Sequence, residues 1–155
     1  MLNTTLCYIE KNSSYLMLKR NKKENDLNKD KWIGIGGKFE SGESPEDCVL
    51  REVKEETGLT LNTFEYKGII TFVSDSTFTE YMHLFYSKDF SGELIECDEG
   101  ELHWISKEKI NDLPHWKGDE IFISLLQKKV PFFSLKLVYE NGTLISSVLN
   151  NQKIN

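Results

Sequence analysis

The chain has 155 residues, 39% of them hydrophobic and 12% aromatic, which suits one globular domain, 1–155, with a substantial core and excludes a disordered chain. A formal net charge of −6 argues against a binder of membrane surfaces or long nucleic acid. Three isolated cysteines, Cys7, Cys48 and Cys97, form no disulfide framework and fit a reducing, cytoplasmic setting.

Residues 2–9 and 15–20 read as two strands of a hairpin turned at Lys11–Ser14. Residues 21–31, NKKENDLNKDK, are charged and aperiodic, which makes them a surface loop, either a solvated connector or a cover for a neighbouring cleft. Trp32–Ile35 is a short strand running into a glycine turn, Gly34, Gly36 and Gly37, where the backbone can approach a ligand closely. Lys38 follows as a candidate phosphate contact.

The next element is an acidic helix. Ser44 is its N-cap, Pro45 occupies the first helical position, Glu46 and Asp47 suit the positive end of the dipole, and Ser44 with Asp47 has capping-box spacing. Gly58 is a natural C-terminal cap. Val49, Leu50 and Val53 are its expected apolar stripe. Glu52, Glu55 and Glu56 stand at i, i+3 and i+4 and share one face. Three like charges repel, and a divalent cation turns that cost into a binding site. Hard carboxylate oxygens suit Mg²⁺, with Mn²⁺ the alternative.

Residues 61–73 and 77–87 read as strands joined at Ser74-Asp75-Ser76. Phe72, Phe78, Phe85 and Tyr86 are read first as core, Phe72 also as a candidate substrate contact. His83 has no His or Cys partner at metal-site spacing and reads as structural. A second acidic cluster, 96–101, is either a solvated turn or a source of one more metal ligand or a water-orienting carboxylate. Trp104-Ile105 begins another short element, which Leu113–Trp116 ends. A helix follows over 119–129 with Ile121, Phe122, Leu125 and Leu126 as its buried stripe. Residues 132–139 and 143–149 form a hairpin about Asn141-Gly142, and the tail reads as frayed. The N-terminus has no basic-then-apolar stretch of an export signal, and no segment is long enough to span a bilayer. This order of elements indicates an α+β fold.

Gly37, five residues, Glu43, seven residues, then Arg51-Glu52-Val53-x-Glu55-Glu56-x-Gly58-Leu59 resembles the signature of the Nudix hydrolases at every motif position. The resemblance implies a Nudix-type α/β/α sandwich with a mixed sheet. It also implies Mg²⁺-dependent hydrolysis of a diphosphate linked to another moiety. By it, Glu52, Glu55 and Glu56 hold metal together with a backbone carbonyl at Gly36 or Gly37. Glu99, preferred over Glu96, Asp98 and Glu101 because MutT-like members place a loop glutamate similarly before a strand aromatic, completes the set. Glu52, Glu55 and Glu99 are the catalytic candidates, with the general base open between Glu52 and Glu99. Arg51 is expected to brace this cluster and Glu43 to position Arg51.

The chain is similar most of all to the MutT-like 8-oxo-dGTP diphosphatases, through Trp32–Lys38, Trp116–Glu120, Leu125–Lys129 and the closing hairpin. That similarity implies a purine pocket in which Trp116 stacks on the base and Asp119 or Glu120 binds its edge. It implies cleavage of oxidised purine nucleoside triphosphates to monophosphate and pyrophosphate, a nucleotide-pool sanitation role. Ile33 departs from the human relative, which has a base-reading amide there. A Nudix hydrolase of another nucleoside diphosphate derivative and a non-catalytic nucleotide-sensing module are the competing readings. The expected partner is a nucleotide, with no long nucleic acid and no membrane, for a monomer or small homo-oligomer.

Overall fold

Strand β1 (Leu2–Lys11) is buried over six consecutive residues, Thr4–Ile9, as a strand covered on both faces must be. A computed structural model describes all of residues 1–155. The remaining strands and α-helices are β2 (Ser14–Arg20), β3 (Trp32–Ile33), α1 (Pro45–Thr57), β4 (Thr60–Ser74), β5 (Phe78–Ser91), β6 (Gly100–Ser106), α2 (Asp119–Gln127), β7 (Phe133–Glu140), β8 (Thr143–Leu149) and β9 (Gln152–Lys153), with a short 3-10 helix at Ile110–Asp112. β1 runs parallel to β5 and β4 parallel to β7, while β4–β5 and β7–β8 are antiparallel, so the sheet is mixed. β2 leaves β1 after the hairpin and pairs with β3 and β6.

Alternation along β1 separates two cores. Leu6 and Tyr8 point into one with Ile70, Phe72, Leu135, Leu137 and, from α2, Phe122, Ile123 and Leu126. Cys7 and Ile9 point into the other with Leu16, Leu18, Phe85 and, from α1, Val49 and Val53. One helix therefore covers each side, which is the α/β/α sandwich.

The helix signals were sound. Ser44 and Asp47 make both bonds of the capping box, and Gly58 closes α1 in the left-handed conformation at φ 83°. The inward stripe differs from expectation: Cys48 is buried with Val49 and Val53, and Leu50 is exposed. The helix packs with Glu52 and Glu56 turned inward, so the apolar face is rotated away from Leu50. On α2, which ends at Gln127, Ile123 is buried while Ile121 and Leu125 only flank the core. β5 runs on to Ser91, and β6 starts at Gly100, so Glu101 lies on a strand and Glu99 immediately before it. The tail is not frayed: Asn150 and Asn151 turn with positive φ and β9 pairs with β8. No helix is long and apolar enough to cross a membrane.

Candidate active site

A cleft of about 950 Å³ opens where the glycine turn, the start of β1, the 21–31 loop and the β4–β5 turn meet. Gly36, Gly37, Lys38, Glu52 and Glu99 line one part of it, and Ile33, Phe72, Phe78, Trp116 and Asp119 another.

At the acidic end, close packing demands glycine. A Cβ on Gly36 would fall 1.7 Å from the Thr5 carbonyl oxygen, and one on Gly37 would meet the Glu52 carboxyl carbon at 2.4 Å. The Gly36 N–H donates to Glu56 Oε1 at 3.1 Å. Glu56 Oε2 is buried and finds no donor. The Gly37 carbonyl is already engaged, by the Thr5 N–H at 2.9 Å and the Cys48 thiol at 3.6 Å. The Gly36 carbonyl accepts no hydrogen bond, so Gly36 rather than Gly37 presents the free backbone oxygen.

Burial raises the Glu56 carboxyl above its ordinary range, and the neighbouring Glu99 adds to this. Burial pushes Glu99 the same way, but the Glu56 contact, Arg20 and Lys23 outweigh it and hold Glu99 below the usual range. Its carboxylate pairs with Arg20 at 3.2 Å and Lys23 at 3.1 Å. Glu52 is also raised, by burial against the opposing pull of Arg51.

Arg51 donates to Glu52 at 2.6 Å, to Glu55 at 3.2 Å and to both oxygens of Glu43, at 2.7 and 2.9 Å. Its Nη2 also bonds the Lys38 carbonyl at 3.0 Å. The paired guanidinium carries Glu43 down to about 2, chiefly through hydrogen bonding.

The structure sorts the expected site residues. Glu52 packs against Gly37, Glu56 accepts from the Gly36 N–H and Glu99 lies beside Glu56, so the three form an open row along the glycine turn. Glu55 sits at the rim with its side chain 60% exposed, because i+3 lies about 60° off the Glu52 direction and on the far side from Glu56. No three acidic side chains converge closely enough to form a closed metal shell. Of the second acidic cluster, Glu99 alone lines the cleft; Glu101 bonds Asn21 instead. Lys38 lies exposed at the cleft edge.

At the apolar end, the Trp116 ring stands edge-on to Phe72 at 5.1 Å and to Tyr139 at 5.0 Å. Lys31 Nζ lies 4.6 Å from its centroid, and its Nε1–H donates to Asn28 Oδ1 at 2.7 Å. Trp116 therefore shows the cleft only 8% of its surface. Asp119, at the start of α2, is pushed up to about 7 by burial. Glu120 points elsewhere: it accepts from His115 at 2.7 Å and from Lys117 at 3.1 Å, outside the cleft lining.

Sequence reasoning missed several cleft residues. Thr4, Arg20, Asp26, Asn28, Glu80 and Met82 all line it. The 21–31 loop is docked, with Asp26 on Arg20 at 2.6 Å, Lys22 on the Cys97 carbonyl at 2.7 Å and Lys23 on Glu99. For β5 a signal existed: alternation puts Phe78, Glu80 and Met82 on one face, and a lone acid among apolar inward positions is unusual.

A sheet covered on both sides by helices, with a glycine turn packed against a helix of paired carboxylates, has its counterpart among known proteins. The NUDIX domain model matches residues 2–126, and the chain belongs to the Nudix family. A MutT protein from Bacillus halodurans has a structure similar to this one, with a TM-score of 0.85, 27% identity and coverage of 97% of this chain and 98% of that one. An oxidized purine nucleoside triphosphate hydrolase of Danio rerio is 36% identical over 104 residues, which is 66% of this chain and 66% of that protein. An uncharacterized Nudix hydrolase, YvcI, of Bacillus subtilis is 36% identical over 102 residues, 63% of this chain and 65% of that protein. The chain thus spans just under two thirds of the length of these two relatives.

Proposed function

We propose that this chain is a divalent-metal-dependent Nudix pyrophosphohydrolase. Its substrates are purine nucleoside triphosphates, oxidised ones such as 8-oxo-dGTP included, and its products are the monophosphate and pyrophosphate. The observation that carries this reading is the single cleft that joins a carboxylate-lined end to an aromatic end closed by a buried acid. The Danio rerio relative is named for the same substrate class.

The residues present fit a hard cation. Glu56 Oε2 is buried without a donor, the Gly36 carbonyl is free, and Glu52 and Glu99 flank them. These four groups would hold Mg²⁺ or Mn²⁺. A divalent ion bound there polarises a phosphoryl oxygen and acidifies a water. Arg51 aims Glu52, and Arg20 with Lys23 fixes Glu99. One of these two carboxylates takes the proton as the water oxygen bonds to phosphorus and the bond to the bridging oxygen breaks. The cleaved triphosphate parts into monophosphate and pyrophosphate, the departing one of the two keeping that bridging oxygen and the other gaining the water oxygen. Asp119 accepts from the purine edge, and Phe72 with Trp116 forms the apolar wall beside it.

Ile33 supports a second reading of selectivity. It lines the cleft without a polar atom to offer a base, which favours a substrate range beyond 8-oxopurines. Chromatography of the nucleotide products formed with Mg²⁺ from dGTP, 8-oxo-dGTP, 2-hydroxy-dATP, ADP-ribose and diadenosine polyphosphates tests both. A purine triphosphate should give the highest kcat/KM. A dinucleotide preference overturns the substrate class, and no product from any compound favours a sensing module.

A further inference from the structure

We propose that Glu80 is a sugar-reading residue that accepts a hydrogen bond from the 3′-hydroxyl of the bound nucleotide. The inference rests on the purine nucleotide reading above.

Glu80 lies between the two ends of the cleft. Its Oε2 accepts from Thr4 Oγ1 at 2.6 Å. Thr4 bridges to Lys38 across the backbone, and the next N–H, of Thr5, holds the Gly37 carbonyl. Through Thr4, then, Glu80 is tied to the glycine turn and the carboxylates. On its other side Glu80 is the direct cross-strand neighbour of Phe72, whose ring meets Trp116. A nucleotide with its phosphates at the first end and its base at the second lays its sugar across this point.

The chemistry selects the sugar as well. Glu80 is half-buried and makes no ion pair, and its second oxygen has no hydrogen-bond partner. A neutral donor is enough to satisfy a carboxyl oxygen in that setting. A phosphate is repelled there, because two anions would face one another. A sugar hydroxyl donates without bringing charge. Thr4 fixes the rotamer, so the free oxygen is aimed before the ligand arrives. Burial raises the Glu80 carboxyl while the Thr4 hydroxyl and the more distant Lys38 and Arg20 charges lower it; an oxygen of either protonation state accepts from a hydroxyl.

The test compares 8-oxo-dGTP with its 2′,3′-dideoxy analogue, and dGTP with ddGTP, in wild type, Glu80→Leu and Glu80→Gln. Wild type should lose about ten- to a hundredfold in kcat/KM when the 3′-hydroxyl is removed, the range for a hydrogen bond to a charged group. Glu80→Leu should be weaker on the deoxynucleotide and lose nothing further on the dideoxynucleotide. Glu80→Gln, which keeps an acceptor, should recover part of the discrimination. A merely structural role would lower both substrates together and leave their ratio unchanged. A wild type indifferent to the 3′-hydroxyl overturns the proposal without any variant, and so does an unchanged ratio in Glu80→Leu. Failure to turn over any purine triphosphate overturns the parent reading instead, and this one with it.

Discussion

Arg51 grips Glu43 with two hydrogen bonds, Nε to Oε2 at 2.7 Å and Nη2 to Oε1 at 2.9 Å, across eight residues of sequence. Glu43 also accepts the Glu40 N–H at 2.7 Å, so the pair pins the turn before α1 while Nη1 reaches Glu52. A lysine supplies the charge but not the planar fork. Arg51→Lys should lower kcat or the apparent Mg²⁺ affinity by about ten- to a hundredfold, as loss of a ligand-orienting partner does. A Mg²⁺ titration of initial rates checks this; a wild-type curve would show that the brace is dispensable.

Glu56 is the buried member of the acidic set. Replacing it with glutamine keeps the shape and the acceptor for the Gly36 N–H. It also removes a carboxyl that burial strains. Glu56→Gln should therefore melt no lower than wild type at pH 8 without added metal, yet lose Mg²⁺-dependent turnover by several orders of magnitude, because an amide is a poor hard-metal ligand. Melting curves and pyrophosphate release, measured on one preparation, separate the two effects.

The sequence made α1 legible down to its caps, since Ser44, Pro45, Asp47 and Gly58 act within a few residues of one another. It also located the hairpin turns, where Asn12, Ser13, Asp75, Ser76 and Asn141 adopt positive φ. What it left dark depends on tertiary packing. The rotation of α1 that buries Cys48 and exposes Leu50, and that moves Glu55 to the rim, follows from how the helix seats on β1 and β4. The choice between the Gly36 and Gly37 carbonyls depended on Thr5, thirty-odd residues away in sequence. Glu80 needed the β4–β5 register to bring it beside Phe72. The tail read as frayed from composition, and the Asn150-Asn151 turn that folds it back acts only once β8 is in place.

The 21–31 loop holds Trp116 through the bond from its Nε1–H to Asn28 Oδ1 at 2.7 Å. Trp116→Ala should raise KM for a purine triphosphate about tenfold or more, through loss of an aromatic contact and its packing. Asn28→Ala leaves the ring but frees its orientation, and should raise KM by a smaller factor with kcat nearly kept. Steady-state kinetics on both variants decides. An unaltered KM in Trp116→Ala would remove that residue from the pocket.

Asp119 is held near 7 by burial, against an ordinary value of 3.8. Its folded-state pKa is raised, so its stability contribution is fully present below the unfolded value and is lost as pH rises through about 7. Asp119→Asn should thus gain on wild type by on the order of 3 kcal/mol between pH 5 and pH 8, from about two units of linkage. Binding should run the other way. The ionised carboxylate accepts from purine N–H groups, so wild-type KM should fall as pH rises through about 7 and stay flatter in Asp119→Asn. Urea unfolding at the two pH values reads the first effect, and KM against pH reads the second.

Ile33 lines the same cleft on the short strand β3, where its backbone pairs with Leu18. An apolar side chain there neither rewards an oxidised base nor penalises an unoxidised one, because no buried polar group is left unpaired by the wrong ligand. Ile33→Asn introduces such a group at a position where it is partly exposed and the strand is only two residues long, so the fold should tolerate it. The variant should raise the 8-oxo-dGTP to dGTP ratio of kcat/KM by about tenfold, the size expected when a site gains a hydrogen bond that one substrate satisfies and the other does not. Most of the change should come from slower dGTP turnover rather than faster 8-oxo-dGTP turnover, since the unpaired amide acts against the wrong base. An unchanged ratio would mean that selectivity is read elsewhere, with Asp119 and Asn28 the polar side chains nearest Trp116 in the cleft lining.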